Sequence, residues 1–217
     1  MGTVVSMVRK MVGCDVLVVN DASIDNTAQI AKSKGAKVLT LALQLNAWGA
    51  TQAGFRYALR AGYQTAVTLD SDGQHLAESI HSLLPSLMNN TADVVIGAYP
   101  QRGSRARKIA WSFFRFITGL SYEDLTSGLR AYNLKAMELL ASPAATILDY
   151  QDLGVLLLLR KSGLEIKEIP VIMRQREAGK SKVFDNWFTV ARYMIQTFIL
   201  CLSKMDVPKP NGKPQQS

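Results

Sequence analysis

Two carboxylates one residue apart, Asp70 and Asp72, are followed by Gly73, Gln74 and His75. They come directly after the short β-rich run Thr65-Ala66-Val67-Thr68-Leu69. In an extended segment residues i and i+2 point the same way, so Asp70 and Asp72 are expected to present oxygen atoms to one point. The Gln74 amide oxygen offers a third ligand. Oxygen donors suit a hard cation such as Mg2+ or Mn2+, with water and substrate phosphates completing the shell. The plainer alternative is an Asx-type turn at a strand end, because Asp is a favoured turn residue. His75 reads as a loop residue rather than a ligand.

A second candidate lies far downstream. Arg174-Gln175-Arg176-Glu177-Ala178-Gly179-Lys180-Ser181-Lys182 is cationic and contains glycine, which suits a phosphate. Its alternative is a solvated basic loop. The formal net charge of +8 fits an anionic partner: nucleic acid, a phosphorylated ligand or a membrane surface. No basic motif interleaved with aromatics singles out nucleic acid, and none is expected as a partner. Cys14 and Cys201 lie far apart and form no metal-type spacing, which points to a reducing compartment. The first residues, Met1 to Val5, lack the charged and apolar regions of a secretory leader.

The elements that must position these groups follow from periodicity. With 217 residues, 48% of them apolar, the chain can bury one large α/β core. Helices are expected over 4–12, from about 26 to Gly35, and over 48–60, 76–89, 105–118 and 151–162. Pro85 is expected to kink or divide the fourth. Strands are expected over 15–19, 37–41, 65–69, 92–97 and 165–173, with Pro170 favouring an edge position for the last. This alternation predicts a mostly parallel sheet with helices on both faces. Ligands of such sheets bind at the carboxyl ends of strands, where Asn20-Asp21 and Asp70-Ser71-Asp72 both fall. The aromatics of 105–118 read as core or a covered face, with a lipid-facing patch as the alternative. Residues 186–203 read as an amphipathic helix that docks on the domain or lies at a membrane interface, and 204–217 as a disordered tail. The catalytic domain is expected to span 1–185.

In order along the chain, Val18-Val19-Asn20-Asp21-Ala22-Ser23, then Asn46 with Trp48-Gly49-Ala50, then Leu69-Asp70-Ser71-Asp72-Gly73-Gln74-His75, resemble a family 2 glycosyltransferase. Asp124-Leu125-Thr126-Ser127-Gly128-Leu129-Arg130 and the 176–182 segment resemble the polyprenyl-phosphate sugar synthases within it. The resemblance implies a Rossmann-like, GT-A-type nucleotide-diphospho-sugar transferase fold. It implies metal ligation by Asp70, Asp72 and Gln74, and donor binding by Asn20, Asp21, Asn46, Gly49, Asp70, Arg176, Ser181 and Lys182. Asp124 and Arg130 would stand at the reaction centre.

The implied reaction is inverting transfer of a hexose from a GDP- or UDP-linked donor to a polyprenyl phosphate, with Mg2+ or Mn2+ as cofactor. The expected location is cytoplasmic, peripheral at the inner face of the membrane. A saccharide hydroxyl as acceptor would require Asp124 or Asp152 to take a proton. A non-catalytic nucleotide-sugar-binding remnant and a phospho-acceptor signalling domain are the other readings. The resemblance also expects a strand and turn ahead of the first helix, so the sequence reads as amino-terminally truncated, through a misassigned start or a true truncation. Asn20 and Ala22 stand where the family pattern has Asp and Gly.

Overall fold

The computed structural model describes residues 1–102, 105–146, 148 and 153–174. The chain divides into two compact units, Met1–Gly179 and Lys180–Ser217. The expected helix 186–203 and tail 204–217 lie outside the described residues, as does Asp152.

The described elements are α1 (Gly2–Val12), β1 (Leu17–Asn20), α2 (Thr27–Ser33), β2 (Lys37–Thr40), α3 (Asn46–Arg60), β3 (Thr65–Thr68), α4 (Ser79–Met88), β4 (Val94–Ala98), α5 (Arg105–Thr118), β5 (Arg130–Asn133), α6 (Leu134–Ala141), α7 (Pro143–Thr146), α8 (Leu153–Lys161) and β6 (Ile166–Pro170). Local chemistry sets their ends. Gly13 closes α1 in the left-handed region, its N–H returning to the Arg9 carbonyl. The Asp25 carboxylate accepts the Thr27 N–H where α2 begins. Asn133 caps α6 by accepting the Ala136 N–H at 3.0 Å. Pro85 does not divide α4, which runs through it as one helix with Leu83 and Leu87 buried on either side.

The strands form two sheets. β1 pairs with β2 in parallel, and the other sheet has the order β3-β5-β4-β6. β4 and β6 are parallel and β6 lies at the edge, as Pro170 suggests. β5 departs from the parallel expectation: it runs antiparallel to both β3 and β4. Its first residue, Arg130, pairs with Thr68, the last of β3. The reversal therefore delivers the 119–129 loop to the end of the sheet where β3 finishes.

Alternation along β5 separates two cores. Leu129 and Ala131 bury with Val8, Ile80, Leu83, Leu87 and Val95. Tyr132 faces the other way and meets Phe55 edge-on, with ring centroids 4.9 Å apart. There α3 is clamped by side chains one turn apart. Trp48, Gln52 and Arg56 donate to the carbonyls of Ala145, Leu140 and Ala141, at 2.8, 2.7 and 3.0 Å. Those carbonyls sit at or beyond the end of α6, where the helix supplies no partner of its own.

The break in the sheet falls between β1 and β3. Among the described residues each pairs on one edge only, and α3 packs on both. Tyr63, just ahead of β3, hydrogen-bonds Asp15, just ahead of β1, so the two strands begin side by side.

Candidate active site

The acidic segment is a turn, not an extended strand end. β3 stops at Thr68, Ser71 and Asp72 form the turn, and Gly73 has φ +80°. The rule that i and i+2 share a side therefore does not govern Asp70 and Asp72, and the turn does the positioning. Asp72 Oδ1 accepts the Gln74 N–H at 3.0 Å, the Asx arrangement given above as the alternative. Both carboxylates remain open to solvent. Asp70 lies over Gly128: a Cβ there would stand 2.4 Å from Asp70 Oδ2. His75 backs it from below, buried, with Nε2 3.6 Å from the same oxygen. Neither His75 ring nitrogen has a hydrogen-bond partner among the described residues.

Two carboxylates and an amide oxygen, open to solvent, are a donor set that fits Mg2+ or Mn2+ with substrate oxygens completing the shell. Among the described residues no three His, Cys, Asp or Glu side chains gather into a metal-type cluster. Asp70, Asp72 and Gln74 are thus the donors this turn offers.

The turn is tied to the start of the basic segment. Arg174 donates its N–H to the Gln74 carbonyl at 2.8 Å, and Met173 bridges to His75. Arg174, Ser71, Asp72 and Gly73 border an open cleft of ≈ 250 Å³ that Met1, Thr3 and Val4 close from the side of α1. Arg174 opens the cationic segment read from the sequence as suited to a phosphate, though Arg176, Ser181 and Lys182 are the residues singled out within it. Arg176, Ser181 and Lys182 lie outside the described residues.

Arg130 is fully buried. Its Nη2 donates to the Leu125 carbonyl at 2.8 Å, while Nε and Nη1 have no hydrogen-bond partner among the described residues. Among the described residues no carboxylate forms an ion pair with it. A guanidinium buried in this state costs several kcal/mol unless an anion compensates it.

Asp124 is also fully buried. Its Oδ2 accepts the Tyr99 N–H at 3.2 Å, and Oδ1 accepts the Thr126 N–H at 3.3 Å. Its own N–H and that of Glu123 donate to the Glu168 carboxylate, each at 2.8 Å. Glu168 thus staples the 119–129 loop to β6. A lone Glu in a short edge strand reads as solvent-facing, so the sequence carries no signal for this role.

On the other side of the break, Asn20 and Asp21 organise loops. Asn20 is buried, and its Oδ1 accepts the Ser23 N–H at 3.3 Å. Asp21 Oδ1 accepts the Leu45 N–H at 2.6 Å, joining the loop after β1 to the one after β2. Asn46 is exposed and begins α3 with φ +60°. Gly49 makes room for Leu45, whose Cβ would stand 2.5 Å from a Cβ at position 49. Ala22, where the family pattern has Gly, takes φ +54°, a conformation that burdens any residue with a Cβ. Asn20, Asp21, Asn46 and Gly49 thus share one end of β1–β2, while Asp70, Asp72, Gln74, Asp124 and Arg130 gather where β3 ends and β5 begins.

Residues 4–137 match glycosyl transferase family 2. Over 185 residues the chain is 34% identical to the undecaprenyl-phosphate mannosyltransferase of Micrococcus luteus, covering 78% of this chain and 75% of that one. This chain belongs to glycosyl transferase family 2. It is 28% identical to the polyprenol monophosphomannose synthase of Mycolicibacterium smegmatis, over 77% of this chain and 69% of that one. Glucosyl-3-phosphoglycerate synthase from Mycobacterium tuberculosis, solved with Mn2+ and uridine-diphosphate-glucose, superposes with a TM-score of 0.66 at 18% identity. The match covers 96% of this chain and 75% of that one, and it shows the shared GT-A-type α/β fold of this glycosyltransferase.

Proposed function

We propose that this glycosyltransferase moves a hexose from a nucleotide diphosphate sugar, GDP- or UDP-linked, to a polyprenyl phosphate with inversion at the anomeric carbon. One observation carries the reading. The Asp70–Gln74 turn is stitched by the Arg174 N–H to the start of the basic segment, which supports a reading in which oxygen donors for a cation and nitrogen donors for phosphates serve one donor site. The names of two relatives, an undecaprenyl-phosphate mannosyltransferase and a polyprenol monophosphomannose synthase, support the acceptor class.

Asp70, Asp72 and Gln74 would hold a divalent cation, which when bound supplies Lewis-acid stabilisation to the departing diphosphate. Arg176, Ser181 and Lys182 would grip donor and acceptor phosphates, Arg being suited to bidentate contact. Arg130 would place its unpartnered nitrogens against phosphate charge. A phosphate oxygen of the acceptor attacks the anomeric carbon, the bond from that carbon to the diphosphate breaks, and the nucleoside diphosphate leaves with the electron pair.

A lipid phosphate is already an anion near neutral pH and needs no general base. That favours it over a saccharide hydroxyl, because Asp124 is buried with both carboxylate oxygens accepting hydrogen bonds. Asp124 then acts by holding the loop that ends in Arg130. Asn20, Asp21, Asn46 and Gly49 would shape the nucleoside end of the donor site. The enzyme would work at the cytoplasmic face of the membrane as a peripheral protein. Among the described residues no helix is long and apolar enough to cross it.

The test is incubation of the full chain with labelled GDP- and UDP-hexoses, Mn2+ and undecaprenyl phosphate, followed by solvent extraction. Labelled sugar in the lipid phase, released by mild acid, is the expected result. Transfer to a saccharide with none to lipid phosphate would replace this reading with the hydroxyl-acceptor one.

A further inference from the structure

Helix α5 divides its aromatics between two environments. Trp111 and Phe114 are buried, whereas Phe113 is 42% and Phe116 89% exposed. The exposed pair is three residues apart and therefore shares one helix face. Phe113 is braced edge-on against Phe114, with centroids 5.6 Å apart. Lys108 is also exposed. Over its length α5 carries Arg105, Arg107, Lys108 and Arg115 and no acidic residue, within a chain of net charge +8.

The helix is anchored to the reaction centre at both ends. It departs just after Tyr99 and returns just before Asp124, and the Tyr99 N–H donates to the Asp124 carboxylate. Arg160 fixes the returning end by donating to the Thr118 and Gly119 carbonyls at 3.1 and 3.0 Å. Fourteen residues make a rod of roughly 21 Å, shorter than the hydrocarbon core of a bilayer, so it is suited to lie in an interface rather than to span one.

We propose that the outer face of α5 is a membrane-contact surface, with Phe113 and Phe116 entering the boundary between headgroups and acyl chains of an anionic bilayer. The occupant follows from charge and position. A helix with cations and no carboxylate, presenting two phenyl rings, complements anionic lipid. A surface attached to the Asp124 loop brings the site to where a lipid-borne phosphate lies, and in this the inference rests on the acceptor reading above.

The test is co-sedimentation of the full chain with vesicles of phosphatidylcholine alone or mixed with phosphatidylglycerol, at low and high salt. Wild type and the double variant Phe113→Ser/Phe116→Ser are compared, with circular dichroism confirming the fold of each. Binding that requires the anionic lipid, weakens with salt and falls by about tenfold or more in the double variant is the expected result. In parallel, transfer is assayed without vesicles to a short-chain, water-soluble polyprenyl phosphate, where the double variant is expected to match wild type. Ring-dependent vesicle binding upholds the surface even where the soluble acceptor is not used, and then only the acceptor reading falls. Equal vesicle binding by wild type and double variant would overturn the proposal. So would a concentration-dependent dimer of wild type that the two substitutions abolish without changing lipid binding, since the face would then join two copies of this chain.

Discussion

β4 (Val94–Ala98) is apolar throughout and buried at all five positions, whereas β3, of similar length but with Thr65 and Thr68 at its ends, is buried at none of its four, Ala66 and Val67 included. Composition accounts for the two threonines, and pairing for Ala66 and Val67. β4 lies between β5 and β6, whereas β3 has β5 on one edge and the break towards β1 on the other. Burial of an apolar residue here depends on neighbours on both edges as well as on the residue itself, as expected where strand preference is mainly a matter of packing. The chemistry divides along the same line. Arg130 and Asp124 are enclosed beside β4, and Asp70, Asp72, Asp21 and Asn46 stand on loops of the open half. Loops that must admit and release a ligand are drawn from the less stable parts of a fold.

The sharpest way to break this comparison is Arg130→Met. If Arg130 is retained for an anion, replacing it by an apolar side chain of similar length should lower sugar transfer by about 100-fold or more. It should also leave the protein as stable, or more stable by about 1–4 kcal/mol, because a buried cation is removed. A denaturant titration beside the transfer assay checks both halves. Loss of stability together with activity would make Arg130 a structural residue.

Two glycines sharpen the contrast next. A Cβ at Gly97, in β4, would stand 2.8 Å from Leu129 Cδ2 and 3.2 Å from Val171 Cγ1. In that closely packed half Gly97→Ala should cost about 1–3 kcal/mol of stability. Gly128→Ala presses on Asp70, the end of a side chain that can swing away. It should reduce transfer by about tenfold through a displaced ligand, with little change in melting temperature.

The open half makes a prediction of its own. Met1 lies beside Ser71, Asp72 and Gly73, at the end where β3 finishes, so a strand entering α1 from the break would run parallel to β3. A β-forming segment fused ahead of Met1 should raise the melting temperature by several degrees, roughly 4 °C per kcal/mol gained. An equal length of Gly-Ser linker should not. Equal melting curves for the two fusions would mean that the break is not a strand site. The smallest expected effect is at Ala22. Ala22→Gly should relieve its left-handed backbone and stabilise by about 0.5–1 kcal/mol, measured by urea unfolding.

Much of this was legible in the sequence, and the exceptions have physical reasons. Helix α5 is found where its aromatic spacing places it, because a one-sided apolar pattern over fourteen residues has no β equivalent. The turn at Asp70 was legible as a strand end, but its geometry was not, since four residues of β3 do not say whether the fifth continues extended. The direction of β5 is invisible, because alternation reads the same for parallel and antiparallel partners. Helix α6 carries a readable cap at Asn133, but its register on α3 depends on Trp48, Gln52 and Arg56, some 90 residues away. The exposure of Phe116 and the burial of Phe114 follow only once the rest of the fold shows which side of α5 is covered.

The account stands or falls on the acidic turn. Isothermal titration of GDP and UDP into the full chain, with Mn2+ and again with chelator, measures it directly. The expected result is nucleotide binding that needs Mn2+ in the wild type and is lost in Asp72→Asn at an unchanged melting temperature, since Asp72 is exposed. Equal affinity in wild type and variant, with or without chelator, would contradict it.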